Sequence, residues 1–113
     1  MGIIARVMAE RGEFDLAQTY INQAVNAVMA KVGPDSIPYA VALANRGGIE
    51  QLAHQFSAAA EDYDKALKLV RVHAELRHLE RDIVQHYAAV LKAMHRGREA
   101  KAIAVEAGGF RPR

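Results

Sequence analysis

Cysteine and tryptophan are absent from the 113 residues, and only three prolines, four tyrosines and three phenylalanines are present. The lack of cysteine excludes a disulfide framework, a thiolate metal site and a thiol nucleophile, and with them a small secreted disulfide scaffold. No apolar run approaches the roughly 18 to 20 residues that span a bilayer. The start, MGIIARVMAERGEF, mixes charge into its apolar residues too early for a signal peptide. Arg6 stands where a myristoylation signal carries Ser or Thr. A cytoplasmic protein with no membrane contact is therefore expected. An excess of one charge is lacking too. The formal net charge is +2 with acidic and basic residues interleaved, so a nucleic-acid partner is not implied. Scarce aromatics and a single threonine leave little material for strands. What is abundant is Ala, Leu, Glu, Gln, Lys and Arg, the strong helix formers, in a length that suits one domain.

Glycine and proline punctuate the chain sparsely, at Gly12, Gly33 to Pro38, Gly47-Gly48, Gly97 and Gly108-Gly109, apart from Gly2 and Pro112. Between these points the apolar period is helical. Phe14, Ala17, Ile21, Ala24, Val25 and Val28 recur at three- and four-residue steps and stack on one helix face. Gly33 suits a C-terminal cap, Asp35 or Ser36 an N-cap, and Pro38 a first turn. Gly47-Gly48 falls inside the following helix, at about 1 kcal/mol per glycine against alanine, which close approach of a neighbouring helix would offset. Helices are predicted over 2–11, 14–31, 37–53, 56–73, 77–94 and 97–107.

A shift of 42 residues superposes Ala5 on Gly47, Val7 on Ile49, Phe14 on Phe56, Ala17 on Ala59, Ile21 on Tyr63, Ala24 on Ala66 and Val28 on Val70. A further shift of 41 superposes Gly47 on Ala88, Ala59 on Ala100, Tyr63 on Ala104 and Ala66 on Ala107. In the 42-residue shift small falls on small and large on large. The pattern predicts an all-α helical solenoid of three antiparallel helix pairs, in which small residues let helices cross closely and Phe14, Phe56 and Tyr63 fill the spaces between them. The whole of 1–113 is expected to be one domain, with repeats at about 1–33, 34–75 and 76–107 and a flexible tail at 108–113 whose Phe110 has scope to dock.

The phrase Ala-x3-large-x2-Ala, seen as Ala17, Ile21, Ala24 and as Ala59, Tyr63, Ala66 and preceded by Leu43-x3-Gly47, resembles the tetratricopeptide repeat. The 42-residue spacing, the Gly33 to Pro38 turn and the phrase starting at Tyr87 resemble the longer repeats of kinesin light chain. The resemblance implies a right-handed α-solenoid. Three departures stand out. Arg46 and Glu50 occupy places where the family has large apolar residues, His54 and His95 replace the turn glycine Gly12, and the third pair lacks a Gly/Pro turn near 75–77. Residues 56–96 thus contain no breaker, which leaves open whether the fourth and fifth helices are separate, fused or swapped between chains.

Candidate chemistry is thin. His78, Asp82 and His86 share a helix face at four-residue steps, but the spacing equally suits carboxylate–imidazole pairing on a solvated face, and no further ligand converges with them. Glu50 and His54 read as a similar surface pair. Lys65, Lys68, Arg71, His73, Arg77, His78 and Arg81 form a basic stretch without interleaved aromatics, diluted by Glu61, Asp62, Asp64, Glu75, Glu80 and Asp82, and read as a solvated face. Thr19, Ser36 and Ser57 fit helix or cap positions, and no phosphate loop, serine-nucleophile motif or paired-carboxylate phrase occurs. No enzyme activity and no cofactor are expected.

The resemblance implies a concave groove lined by the first helix of each pair: Arg6 and Glu10, then Val41, Asn45, Gly48, Gln51 and Leu52, then Gln85, His86, Ala89 and Lys92. Asn45 matches a family asparagine that holds a peptide backbone, a task suited to an amide's donor and acceptor. The lysine clamp for a chaperone's C-terminal carboxylate is not reproduced, since Gly2 and Asp82 replace two of its lysines. A protein or peptide partner with some acidic character is expected in the groove. The alternative is self-assembly into a homo-oligomer through apolar ends of the stack or by helix swapping.

Overall fold

Six helices and one 3-10 turn account for the order in the computed structural model, which describes residues 2–107. The predicted tail at 108–113, with Phe110, lies outside the described residues. The helices are α1 (Gly2–Glu10), α2 (Phe14–Val32), α3 (Ile37–Leu52), α4 (Phe56–Arg71), α5 (Arg77–Ala93) and α6 (Gly97–Ala107). No strand occurs among the described residues, and the fold is all-α, each pair α1–α2, α3–α4 and α5–α6 forming an antiparallel hairpin. Every predicted helix end falls within two residues of the observed one. Ala5, Ala17, Ala40, Ala59 and Ala66 are fully buried at the crossings, with Ile21, Leu43, Ile49, Leu67 and Val70 filling the core around them. Tyr63 is buried, whereas Phe14 and Phe56 are half-buried against the core.

The turns explain why a glycine is dispensable at the second and third hairpins. Gly12, His54 and His95 all have positive φ, at 82°, 60° and 61°. The next residues, Glu13, Gln55 and Arg96, donate their backbone N–H to the carbonyls of Met8, Glu50 and Leu91, each at 2.8 Å. One six-residue cap is therefore built three times, and the hydrogen bond across it tolerates a left-handed histidine where glycine is the unstrained choice. Between α2 and α3, Ser36 is the N-cap: its Oγ accepts from the Tyr39 N–H at 3.3 Å and its hydroxyl donates to the Gly33 carbonyl at 2.9 Å.

α4 and α5 are separate helices of one chain, packed on each other. Val72 ends α4, His73 is extended at φ −120° and ψ 98°, and the 3-10 turn Ala74–Leu76 leads into α5. The break needs no glycine or proline because Leu76 and Leu79 turn in to pack against the core, and Arg71 Nε lies 3.7 Å from Glu80 Oε2 across the two helices.

The largest departure from the sequence reading lies between α2, α3 and α4. Glu50 is buried rather than paired with His54 on the surface, and Asp62 is buried rather than part of a solvated face. Arg46 grips Asp62 with two bonds, Nε to Oδ2 at 2.8 Å and Nη2 to Oδ1 at 2.9 Å, and its Nη1 donates to Asn22 Oδ1 at 3.3 Å. The Arg46 guanidinium is held charged by this bonding to Asp62. In the first hairpin the matching places hold Ile4, Met8 and Tyr20, and in the third Tyr87, Leu91 and Ile103. The charged set is thus a joint replacement of one apolar set.

Burial, followed by the neighbouring Asp62 carboxylate, pushes the Glu50 carboxyl up to about 8 from its usual 4.5, against the pull of Arg46. Glu50 Oε1 and Gln18 Oε1 are both buried without a hydrogen-bond partner. Between these two pH values the folded chain keeps a proton that the unfolded chain releases, so stability falls as pH rises through the window and levels off above it. Glu50→Gln is expected to flatten this slope and to exceed the wild type by about 1 kcal/mol at pH 8, as read by urea unfolding from pH 5 to 9. Parallel pH profiles for the two proteins would refute it.

Candidate functional site

The hairpins stack so that α1, α3 and α5 each contribute to one open cleft of about 340 Å³. Arg6 comes from α1. From α3 come Ala44, Asn45, Gly48, Gln51 and Leu52, and from α5 Leu79, Asp82, Ile83 and His86. The three- and four-residue steps within each helix place these side chains on one face. Tyr63 of α4 reaches the same space from behind.

That reach depends on the glycine pair. An added Cβ on Gly47 would lie 3.0 Å from Tyr63 Cε1, so the tyrosine ring lies directly against the α3 backbone. A Cβ on Gly48 would lie 3.7 Å from the Tyr63 hydroxyl oxygen, an ordinary contact. Gly47 is therefore the close approach that offsets the cost of glycine in a helix, while Gly48 leaves the phenol facing the cleft.

Tyr63 is held on three sides. Its hydroxyl donates to Gln51 Oε1 at 2.9 Å. Its ring stacks near His86, with centroids 6.1 Å apart and planes 17° apart, and lies 6.4 Å from the Tyr87 ring. Burial pushes the phenol up to about 12, so it remains a neutral donor at any physiological pH. Because Gln51 uses its carbonyl on Tyr63, its amide N–H2 remains for a ligand. Asn45 is exposed and makes no hydrogen bond among the described residues, which leaves both halves of its amide open to the cleft.

Charge is divided between the walls. Arg6 is on one side, with Glu10 Oε2 at 3.5 Å from its Nε in an exposed contact that water screens. Asp82 is on the α5 side. Leu52, Leu79 and Ile83 supply apolar surface between them. The lining contains no Ser, Thr, Cys or Lys, and among the described residues no three His, Asp or Glu side chains gather to hold a metal ion. Such a surface offers hydrogen bonds, apolar contact and a charge on each wall.

Of the residues expected in the groove, the structure brings Arg6, Asn45, Gly48, Gln51, Leu52 and His86 together on the cleft. Glu10, Val41, Gln85, Ala89 and Lys92 are exposed but off its lining. Glu10 lies one turn after Arg6 and Val41 one turn before Asn45. Gln85 is rotated about 100° from His86 on the same helix. Sequence reasoning missed Tyr63, Ala44, Leu79, Asp82 and Ile83 as lining residues. Leu79, Ile83 and His86 recur at helical steps, which was the available signal on α5. Tyr63 had none, since its approach to the cleft depends on a glycine from another helix.

The family model for the tetratricopeptide repeat matches residues 1–71, which covers α1 to α4. No curated protein matches the chain. Among the described residues no helix is long and apolar enough to cross a membrane.

Proposed function

The chain belongs to the tetratricopeptide repeat family, whose members typically mediate protein–protein interactions, and from that premise we propose that it is a non-catalytic scaffold holding a partner's peptide segment in the cleft. The observation that carries this reading is the unpartnered Asn45 amide beside the apolar floor of Tyr63, Leu79 and Ile83. In this reading Asn45 and Gln51 bind the peptide backbone, an apolar side chain lies over Gly48 against Tyr63, and Arg6 takes an acidic residue. Asp82 on the α5 wall disfavours a bare carboxylate terminus and favours a basic or amide group there. The 42- and 41-residue spacings support the long-repeat subtype of kinesin light chain, with repeats at about 1–33, 34–75 and 76–107 in a single domain. A cytoplasmic setting, a protein or peptide partner, and no nucleic acid, membrane or cofactor belong to the same reading.

The test starts from peptides selected from a random display library on the immobilised protein. Asn45→Ala is expected to weaken the selected peptides about tenfold, the equivalent of one backbone hydrogen-bond pair. Gly48→Arg, whose side chain fills the cleft without straining the helix, is expected to abolish their binding with far-UV circular dichroism unchanged. Glu10→Ala and Lys92→Ala should leave the affinity alone. Equal affinity for the wild type and Gly48→Arg would overturn the cleft as the binding site.

A further inference from the structure

Residues 16–30 carry no Asp, Glu, Lys, Arg or His, the longest such stretch in a chain that is 25% charged. All of it lies in α2, where Leu16, Thr19, Gln23, Asn26, Ala27 and Ala30 form one exposed face. This face is outward whatever precedes the first hairpin. The 42-residue shift carries Thr19, Gln23 and Asn26 onto Glu61, Lys65 and Lys68 of α4, and these are exposed although the second hairpin is packed between the first and the third. At matched outward positions α4 is charged and α2 is not, so the lack of charge is particular to α2 and not a demand of the fold.

The polar groups of the face are of two kinds. Thr19 Oγ1 donates to the Asp15 carbonyl at 3.0 Å, which satisfies the hydroxyl within the helix. Gln23 and Asn26 make no hydrogen bond among the described residues, so each offers an amide donor and an amide acceptor. Charge returns only at the two ends of α2, as exposed Asp15 in the first turn and exposed Lys31 in the last, with Gln23 midway between them. A second α2 laid antiparallel about a twofold axis at Gln23 therefore places each Asp15 level with Lys31 of the other copy, Leu16 over the small Ala30, and the Gln23 amide against its twin. An amide is self-complementary across such an axis. The lysine that stands at this place in α4, Lys65, would instead meet a like charge.

We propose that the outward face of α2 is the interface of a homodimer, in which the α2 helices of two copies pack antiparallel about a twofold axis at Gln23. The contact is isologous, so it closes at two copies and does not propagate. It is uncharged at its centre and carries opposite charges at its rim, which is the make-up of a protein interface and not of a solvated helix. None of its residues lines the cleft, so it stands or falls independently of peptide binding, and the dimer presents two clefts.

Sedimentation velocity on the full chain over a wide concentration range tests it. The wild type is expected to show a mass that rises with concentration and levels off at two copies. Gln23→Lys and Gln23→Glu, both helix-compatible changes at an exposed site, are each expected to weaken association at least about tenfold by setting like charges against each other on the axis. The decisive sample is the equimolar mixture of the two variants, in which lysine meets glutamate and the dimer mass should return. Only an interface that places residue 23 across from itself predicts that rescue. A wild type that remains monomeric at all concentrations, growth beyond two copies, or a mixture that associates no better than either variant alone would each overturn the proposal. The first of these results would leave the face to a partner of different sequence.

Discussion

Replacing Asp62 with Ala is expected to cost about 3 kcal/mol of folding free energy, the low end of what breaking a buried ion pair costs. The loss follows from geometry. Both Arg46 bonds to Asp62 disappear, and the guanidinium, part-buried between three helices, retains only Asn22 at 3.3 Å and Glu50 at 4.0 Å. Glu50 moderates the effect. With the Asp62 carboxylate gone, one cause of its raised protonation is removed, and it can ionise and take over part of the pairing. Asp62→Asn should be milder, since the amide oxygen still accepts one bond from Arg46. Urea unfolding followed by circular dichroism at pH 7 measures the difference. A loss below 1 kcal/mol would show that Arg46 finds equivalent bonds elsewhere and that the network contributes little.

At Gly47, Val is expected to destabilise by about 2–3 kcal/mol even though glycine is a poor helix residue. The Tyr63 ring cannot retreat from the added carbon atoms: its hydroxyl is bonded to Gln51, and His86 and Tyr87 lie against it. Gly47→Ala should cost less, because the propensity gain of about 1 kcal/mol opposes a single contact at 3.0 Å. The repeat supplies the control. In the first hairpin the corresponding positions are Ala5 and Ile21, both buried. Combining Gly47→Ala with Tyr63→Ile reproduces that pair, and the double variant is expected to be more stable than the sum of the two single changes allows. Strict additivity in this cycle would separate the glycine from the tyrosine.

Both predictions concern residues whose partners are remote in sequence, and this marks the limit of what was legible without the structure. Arg46, Glu50 and Asp62 were each visible as departures or as surface charges, yet none of the three announced the others. The groove shows the same division. Asn45, Gly48, Gln51 and Leu52 line the cleft together because they share one helix face, and Arg6 and His86 join them from α1 and α5, as the family resemblance implied. Gln85 and Lys92 lie off the lining of the cleft, because a degenerate repeat does not set the rotation of α5 closely enough to distinguish a wall from its outer edge. Leu79 and Ile83 turn inward only because α5 packs on α4 after a break that no glycine or proline marks.

By itself the sequence determined the number of helices, their ends to within two residues, the pairing into hairpins and the small residues at their crossings. Those properties follow from local hydrogen bonding, capping and a 3.6-residue period, all written within a few residues of where they act. Only the tertiary structure decided that three charged side chains share a buried network, that two histidines adopt the left-handed turn of Gly12, that α4 and α5 part at His73, and that Tyr63 reaches the cleft past a glycine of another helix. Each depends on groups 12 or more residues apart or on packing that stabilises a locally unfavourable backbone, and such terms have no period along the chain.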